Sequence, residues 1–341
     1  MGLGSGGSGG GGSSNGNYPP SCNPNPNYVV PSIPLPLGTE WILPCSGPGS
    51  VPIPVTPIPT SSILSNIINW MGITDVDKQN FLLTHNEIYL ALSDYLVTNG
   101  TTTETKEFVD WAVWYLMENP TVSLETFKNR FFYKTADGSD GLNDFDISYW
   151  NDPNLIIAHK VLTSYTDFYL AYPKNSTGFE LDAASVFNLV GGTPKTLRDA
   201  SLNDNNSDND NTYSNACALR VSRALNYSGV AIPEVSGTYK GGDGKNYFLS
   251  AASLYAWMTK AFPPTPFNSI ILNGSDSGPH GAGFANAMAG SKGIYIMLPN
   301  YPGFAYFGAS GHAGIHTYPE MTHYYFDAKG GVNKITLWKL Y

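Results

Sequence analysis

The sequence predicts a protein of the α+β class, in which helices come first and an antiparallel sheet follows. Residues 61–133 contain apolar side chains at helical spacing. Runs rich in β-branched and aromatic residues lie instead near the C-terminus. Hydrophobic residues make up 42% of the chain and charged residues 13%, which is a globular and not a disordered composition.

The change in composition along the chain predicts three regions. Residues 1–60 form a disordered leader or tether, rich first in glycine and serine and then in proline, which excludes regular helix. Residues 61–178 form a mainly helical delivery or docking region, and residues 179–341 form a catalytic domain. The leader has neither the basic start nor the apolar segment of a secretory signal. We therefore expect secretion by a route that uses no signal peptide.

The distribution of charge excludes one class of partner. The chain has 27 acidic and 18 basic side chains, a formal net charge of −9. The acidic excess lies in residues 1–178, because residues 179–341 contain equal numbers of both signs. No basic patch is available to neutralise phosphates, so we expect no nucleic-acid partner. No run of about 18 apolar residues occurs, so we expect no membrane span.

The helical region contains three predicted stretches. In the clearest, "TTTETKEFVDWAVWYLMENP", Thr103 is placed to cap the helix and Pro120 to end it. Its apolar residues fall on one face, at Phe108, Trp111, Ala112, Tyr115 and Leu116. Helices are also predicted over "KQNFLLTHNEIYLALSDYL" and "SLETFKNRFF".

Two later stretches show no helical or strand period. Residues 134–178 are rich in Asp, Asn, Gly and Tyr, and Asp199–Asn215 is predicted as a polar loop. Asp204, Asp208 and Asp210 in this loop suggest calcium ligands. The loop lacks the glycine and the glutamate that calcium loops place at about positions six and twelve, so we expect no calcium site.

The pattern becomes α+β after this loop. Ala216–Tyr227 is predicted as a helix, and "YKGGDGKNYFL" as a hairpin that turns at Asp243-Gly244. A second amphipathic helix is predicted over "SAASLYAWMTKAFPPT". Three strands are predicted to follow, over "GIYIMLPNY", "GHAGIHTY" and "KITLWKLY".

One cysteine is a candidate nucleophile. Cys22 and Cys45 lie in the proline-rich segment and are able to pair, which leaves Cys217 as the odd thiol. Cys217 lies at the start of a predicted helix, with Ser214 and Asn215 as caps, and a helix N-terminus lowers the pKa of a thiol. The alternative is a small buried side chain packed beside Val221 and Leu225.

A cysteine nucleophile needs a base, usually histidine. Three histidines lie together in "SGHAGIHTYPEMTH", at His312, His316 and His323. Glycine on one side of His312 permits close approach of backbone and substrate, which favours His312 as the base. The remaining histidines are interpreted as packing, capping or surface residues, at His85, His159 and His280.

The same cluster permits a second interpretation, as a metal site. On a helix, His312 and His316 would share a face and could bind zinc together with Glu320 or His323. The glycines and the proline of the segment favour a strand, in which these two histidines lie roughly 13 Å apart at about 3.3 Å per residue. We therefore expect neither a metal nor another cofactor.

Six blocks of the C-terminal half occur in a characteristic order: "VFNLVGG", "NACALRVSRALNYSGVAIP", "GGDGKNYFLSAASLYAWMTKAF", "KGIYIMLPNY", "SGHAGIHT" and "YYFDAKGGVNKITLWKL". In that order, over roughly residues 180–341, they resemble the fourth family of type VI secretion amidase effectors. The resemblance implies a papain-like (NlpC/P60-type) domain with an N-terminal helix followed by an antiparallel sheet.

The resemblance also implies the roles of three residues. Cys217 matches the nucleophile and His312 the base. The family has an acidic residue eleven positions after the base, where this chain has His323, and related cell-wall peptidases use a second histidine there. Glu320 and Asp327 are nearby alternatives for that third position.

The implied function is an antibacterial toxin that hydrolyses the amide bond between D-glutamate and the diamino acid of peptidoglycan stem peptides. The implied partners are peptidoglycan, a cognate immunity protein and a secretion apparatus that contacts the N-terminal region. The implied place of action is the periplasm of a target cell. Two alternatives stay open: a degenerate module that binds peptidoglycan or a partner, and a metal hydrolase that uses the histidine cluster.

Overall fold

The computed structural model describes residues 66, 68–132, 144–203, 213–300, 308–317, 320–328 and 330–341. The chain divides into two compact units, Met1–Leu64 and Ser65–Tyr341, and every described residue belongs to the second. The predicted leader, with Cys22 and Cys45, and the three aspartates of the polar loop lie outside the described residues. The predicted boundary between residues 178 and 179 stays a prediction.

The first described helices are α1 (Val76–Thr84), α2 (Asn86–Asn99), α3 (Thr103–Glu118) and α4 (Leu124–Phe131). Local capping explains where three of them begin, because Asp75, Thr102 and Ser123 each accept a backbone N–H from the first turn. The cap of α3 is thus Thr102 and not the predicted Thr103. His85 separates α1 from α2 within the single helix that the sequence predicts.

The face of α3 that the sequence predicts to be apolar is buried. It contacts α4 through aromatic rings, and the ring centroids of Trp111 and Phe131 are 5.2 Å apart in an edge-to-face arrangement. Phe127 of α4 is also buried in this cluster. These helices therefore share a small aromatic cluster, which Phe326 also joins by contact with Phe131.

Four helices lie in stretches that show little periodicity in the sequence. They are α5 (Ile147–Trp150), α6 (Tyr165–Ala171), α7 (Ala183–Val190) and α8 (Gly192–Asn203). The predicted loop over Asp199–Asn215 is wrong in its first five residues, which form the end of α8. The side chain of Asn203 donates to the carbonyl of Asp199, 2.8 Å away, within that last turn.

The elements predicted after residue 216 are present. They are α9 (Cys217–Tyr227), the hairpin of β1 (Thr238–Lys240) and β2 (Asn246–Phe248), and α10 (Ala251–Ala261). The N–H of Gly244, whose φ is +77°, donates to the carbonyl of Gly241 and closes the predicted turn.

A second sheet contains β3 (Ser269–Asn273), β4 (Gly293–Pro299), β5 (His312–His316) and β6 (Val332–Lys339). Its order is β3-β6-β4-β5, and every pair is antiparallel. The sequence analysis missed β3 and α11 (Ala282–Met288). Helices and strands therefore alternate in this part of the chain, whereas the prediction placed the helices before the sheet. The mixed class with an antiparallel sheet is confirmed.

The core of this part lies between the second sheet and the helices α9 and α10. Buried side chains from all three elements form it, at Val221, Leu225, Leu254, Trp257, Ile294, Ile296, Ala313, Ile315 and Trp338. Helix α9 packs directly against β5, an edge strand of the sheet. This contact brings the helix that begins at Cys217 to the strand that begins at His312. None of the described helices is long and apolar enough to cross a membrane.

Candidate active site

Cys217 is the first residue of α9, and its side chain is fully buried. Its backbone N–H donates to Oδ1 of Asn215, 2.9 Å away. The formal N-cap is Ala216, which has no side-chain oxygen. The side chain of Asn215 therefore accepts the first N–H of the helix, as the side chain of an N-cap residue would. The predicted capping by Ser214 is not observed.

Residues that precede the family blocks contribute to the buried cluster that contains Cys217. Trp150, Phe168 and Tyr172 belong to the same buried cluster as the thiol. The hydroxyl of Tyr172 donates to Oε2 of Glu180 over 3.2 Å. Burial, and then the negative charge of Glu180, raise the pKa of Tyr172 well above its usual value, so this phenol stays neutral.

His312 begins β5, opposite Met297 of β4, and only 1% of it is exposed. The ring of Tyr325 contacts the imidazole edge-on, with the centroids 4.7 Å apart. A Cβ at the preceding Gly311 would lie 2.7 Å from the carbonyl oxygen of Met297. The glycine is therefore required by close packing of the strand that carries His312.

Burial, and then the charges of Arg220 and His323, lower the pKa of His312 to about 3. The backbone of His323 opposes this shift in part. His312 is consequently neutral at neutral pH. A neutral imidazole is the form that can accept a proton from a thiol.

Among the three candidates for the third position, His323 lies beside the base. Its charge acts on His312, and its ring and that of Tyr325 have centroids 6.0 Å apart. Its carbonyl accepts the hydroxyl of Tyr295, which holds the residue against β4.

The two carboxylates proposed as alternatives bind other residues. Glu320 is buried and accepts the guanidinium of Arg130, with Nε 3.1 Å from Oε1. Asp327 lies 3.3 Å from Nδ1 of His280. These contacts favour His323 as the group that acts on His312.

His316 is part of the packing between β5 and its neighbours. One ring nitrogen lies 2.7 Å from the hydroxyl of Tyr324, and the other lies 3.0 Å from the carbonyl of Met288. Both nitrogens are thus occupied by protein atoms. Within the described residues, no group of three or more His, Cys, Asp or Glu side chains is placed to hold a metal ion.

Two of the remaining histidines differ from the interpretation of the sequence. His280, predicted at the surface, is half-buried against Phe108 and Trp111, with ring centroids 5.4 and 4.9 Å away. His159, predicted to pack or cap, is exposed. His85, interpreted as a surface or core residue, is half-buried: it stacks on Phe81, and its Nδ1 lies 2.9 Å from the carbonyl of that residue.

Sequence analysis missed four residues of the site. Arg220 supplies a buried charge and Glu180 a partly buried one, and Tyr172 and Tyr325 lie beside the thiol and the imidazole. Arg220 lies in the nucleophile block, and a basic residue on the apolar face of α9 is the one signal that the sequence offers. Tyr325 has a φ of +57°, which a side chain rarely adopts, and no sequence pattern announces it.

Residues 213–338 match the sequence model of the family described as "Type VI secretion system (T6SS), amidase effector protein 4", or Tae4. The C-terminal region of this chain is that of a Tae4 effector. The predicted resemblance is confirmed for this region, and the family that it matches is one of amidase effectors of type VI secretion, which are hydrolases. The matched residues include Cys217, His312 and His323, whereas residues 1–212 lie outside the match.

Solved Tae4 structures are similar to part of the chain. One is in the Tae4–Tai4 effector–immunity complex from Salmonella Typhimurium, which is 20% identical with a TM-score of 0.39. The alignment spans 53% of this chain and 100% of the matched chain. Tae4 from Enterobacter cloacae is 20% identical, covers 54% of this chain and all of its own, and has a TM-score of 0.40. No curated protein matches the chain.

Proposed function

We propose that this chain is an antibacterial effector that hydrolyses amide bonds in peptidoglycan stem peptides with Cys217 as the nucleophile. One observation carries the proposal. The Tae4 match spans both α9 and β5, and these two elements, which begin at Cys217 and His312, pack against each other.

The proposed reaction is acyl transfer in two steps. His312 takes the proton of Cys217, and the sulfur attacks the amide carbonyl to form a tetrahedral adduct. The amine leaves with the proton from His312, and a thioester remains. Water, deprotonated by His312, then attacks the thioester, so that a carboxylate and the free thiol are released.

The developing oxyanion requires N–H donors, and the first turn of α9 is the place that supplies them. The N–H of Cys217 already donates to Asn215. It becomes available to the oxyanion when the side chain of Asn215 turns away. In this proposal, the oxyanion of the substrate replaces Oδ1 of Asn215 as the acceptor of the Cys217 N–H.

The third group in the proposal is His323, which acts on His312 from the adjacent segment. The proposed bond is the one between D-glutamate and the diamino acid of the stem. Because Cys217 and His312 are both buried, substrate must displace the side chains that cover them. Tyr172 and Tyr325 are the side chains assigned to that movement.

The proposed setting follows from the family. A type VI effector that cuts peptidoglycan acts in the periplasm of the target cell, and the producing cell needs an immunity protein against it. Several of the similar solved structures are complexes of Tae4 with an immunity protein, Tai4. We propose the same kind of partner for this chain, and we assign residues 61–178 to delivery or docking.

The test is digestion of purified peptidoglycan that contains diaminopimelate, with the muropeptides identified by mass spectrometry. Wild type is expected to release fragments cut between D-glutamate and the diamino acid, and Cys217→Ala and His312→Ala to release none. His159→Ala, an exposed histidine, is the matched control and should equal wild type. Uncut muropeptides with wild type, while the protein still sediments with the wall, would identify a binding module and overturn the enzyme proposal.

A further inference from the structure

Arg220 is a buried cation inside the candidate site. It lies three residues after Cys217, and side chains at that spacing are neighbours on one face of a helix. Only 2% of it is exposed. A guanidinium remains charged at any working pH, and its burial is expensive unless the charge is compensated. Packing alone does not account for this residue.

The contacts of Arg220 place carboxylates on one side of it. Its Nε donates to the carbonyl of Leu181 over 2.9 Å, and its Nη1 lies 3.8 Å from Oε1 of Glu180. Asp182 lies close enough to be affected, since its pKa is lowered mainly by hydrogen bonds from Ser185 and also by Arg220. The cation is thus balanced from the segment that connects α6 to α7.

On its other side, Arg220 acts on the reacting groups. After burial, its charge is the largest cause of the lowered pKa of His312. Cys217 lies on the same helix, one turn away, and α9 packs against the strand of His312. A cation favours a thiolate and disfavours an imidazolium, so it lowers the pKa of both groups.

We propose that Arg220 is a positioning residue whose buried charge, opposed by Glu180, sets the pH range in which Cys217 and His312 react. This inference rests on the proposed function. Transfer of the proton from Cys217 to His312 depends on the difference between the two pKa values. A charge that lowers both leaves that difference nearly unchanged and moves the whole active range to lower pH.

Other titratable groups also face this pair. They come from every element around it, at Tyr172, Glu180, Asp182, Tyr295, His323 and Tyr325. Burial raises the pKa of Tyr172 and Tyr295, so these phenols stay neutral. On β2 and α10, which also pack against α9, Tyr247 binds Asp243 and Tyr255 contacts Thr336.

The first experiment measures the thiolate of Cys217 directly in the full chain. Ultraviolet absorbance is titrated against pH, with the Cys217→Ala form of each variant subtracted. In Arg220→Gln the midpoint is expected to rise by on the order of one pH unit or more, and in Glu180→Gln to fall. Arg223→Gln is the matched control on the same helix, because Arg223 donates to the carbonyl of Ala171 and stacks on Tyr227. Its midpoint should equal that of wild type.

If the midpoint rises in Arg220→Gln and falls in Glu180→Gln, the effect comes from charge. A purely structural loss would move both midpoints in the same direction or leave both unchanged. Arg220→Lys keeps the charge and should stay near wild type. If circular dichroism shows that Arg220→Gln does not fold, the titrations of Glu180→Gln and Arg220→Lys decide the direction in which the charge moves the midpoint. An unchanged midpoint in both Glu180→Gln and folded Arg220→Gln overturns the proposal.

The titration needs no amidase activity, so it separates this proposal from the proposed function. If wild type cuts peptidoglycan, both limbs of its pH–rate profile should move to higher pH in Arg220→Gln. If wild type cuts nothing, the midpoints still decide whether Arg220 acts on Cys217. A lower rate in Arg220→Gln with both limbs in place contradicts the proposed role.

Discussion

Arg130 of α4 donates from Nε to Oε1 of Glu320 over 3.1 Å, and this contact joins residues 190 positions apart in the chain. The pair is nearly excluded from water, with side-chain exposures of 11% and 1%. Beside it, the N–H of Tyr324 donates to Asn129 and the N–H of Phe326 to Arg130. Helix α4 thus holds the segment that carries His323 and Tyr325 against β5.

Removal of one partner of this pair should be costly. Arg130→Met leaves the carboxylate of Glu320 buried and uncompensated, so the free energy of unfolding should fall by about 3–5 kcal/mol, as for other buried pairs. Urea denaturation at neutral pH measures this loss. The double variant Arg130→Met/Glu320→Leu should recover most of the stability, because no charge remains buried. If the double variant is as unstable as the single one, packing and not charge explains the loss.

His312 should make the protein less stable in acid. Its folded pKa is about 3, lowered chiefly by burial, whereas an unfolded histidine titrates near 6.5. Between these values the unfolded chain binds the extra proton, so stability should decline as the pH falls from about 6.5 towards 3, by up to a few kcal/mol. Denaturation of wild type and His312→Gln across this range measures the difference. A slope as steep in His312→Gln as in wild type would show that another group is responsible, and His159→Gln serves as the exposed control.

Tyr325 should limit access to the base. Its φ of +57° lies in the left-handed region, and its ring lies against His312. Tyr325→Gly relieves that backbone conformation and removes the ring, so His312 should react faster with diethyl pyrocarbonate. Because the ring is buried, its loss should also lower the free energy of unfolding by about 3 kcal/mol. Mass spectrometry reports the modification of each histidine, and His159 in the same molecule provides the reference rate. An unchanged ratio of His312 to His159 modification would mean that other residues limit access.

Chelation should leave the amidase active. Both ring nitrogens of His316 bind protein atoms, and Glu320 binds Arg130, which occupies the groups that a metal would need. Activity in EDTA should therefore equal activity without it, whereas alkylation of Cys217 should abolish it. Loss of activity in EDTA that zinc restores would support the metal hydrolase instead. His316→Gln should lower stability and should not alter the response to EDTA.

Much of the fold follows from local patterns. The helix α3, the hairpin, α10 and the strands β4, β5 and β6 are all recognisable from periodicity, caps and turn residues. Short elements were missed where periodicity is weak: α5 and α6 have four and seven residues, which are too few to show it. The end of α8 was missed because Asp and Asn are typical of loops, although side-chain contacts within the helix, from Lys195 and Asn203 to Asp199, continue it there.

The sequence by itself determined the family of the C-terminal region and the order of its blocks, with a thiol at a helix start and a histidine at a strand start. These are properties of short segments, since capping, spacing and block order depend on neighbours in the chain. Only the tertiary structure decided that Glu320 binds Arg130, that Asp327 lies beside His280, and that Arg220 is buried close to His312. The partner of a buried charge comes from distant parts of the chain, and burial itself is what makes that charge act strongly on its neighbours.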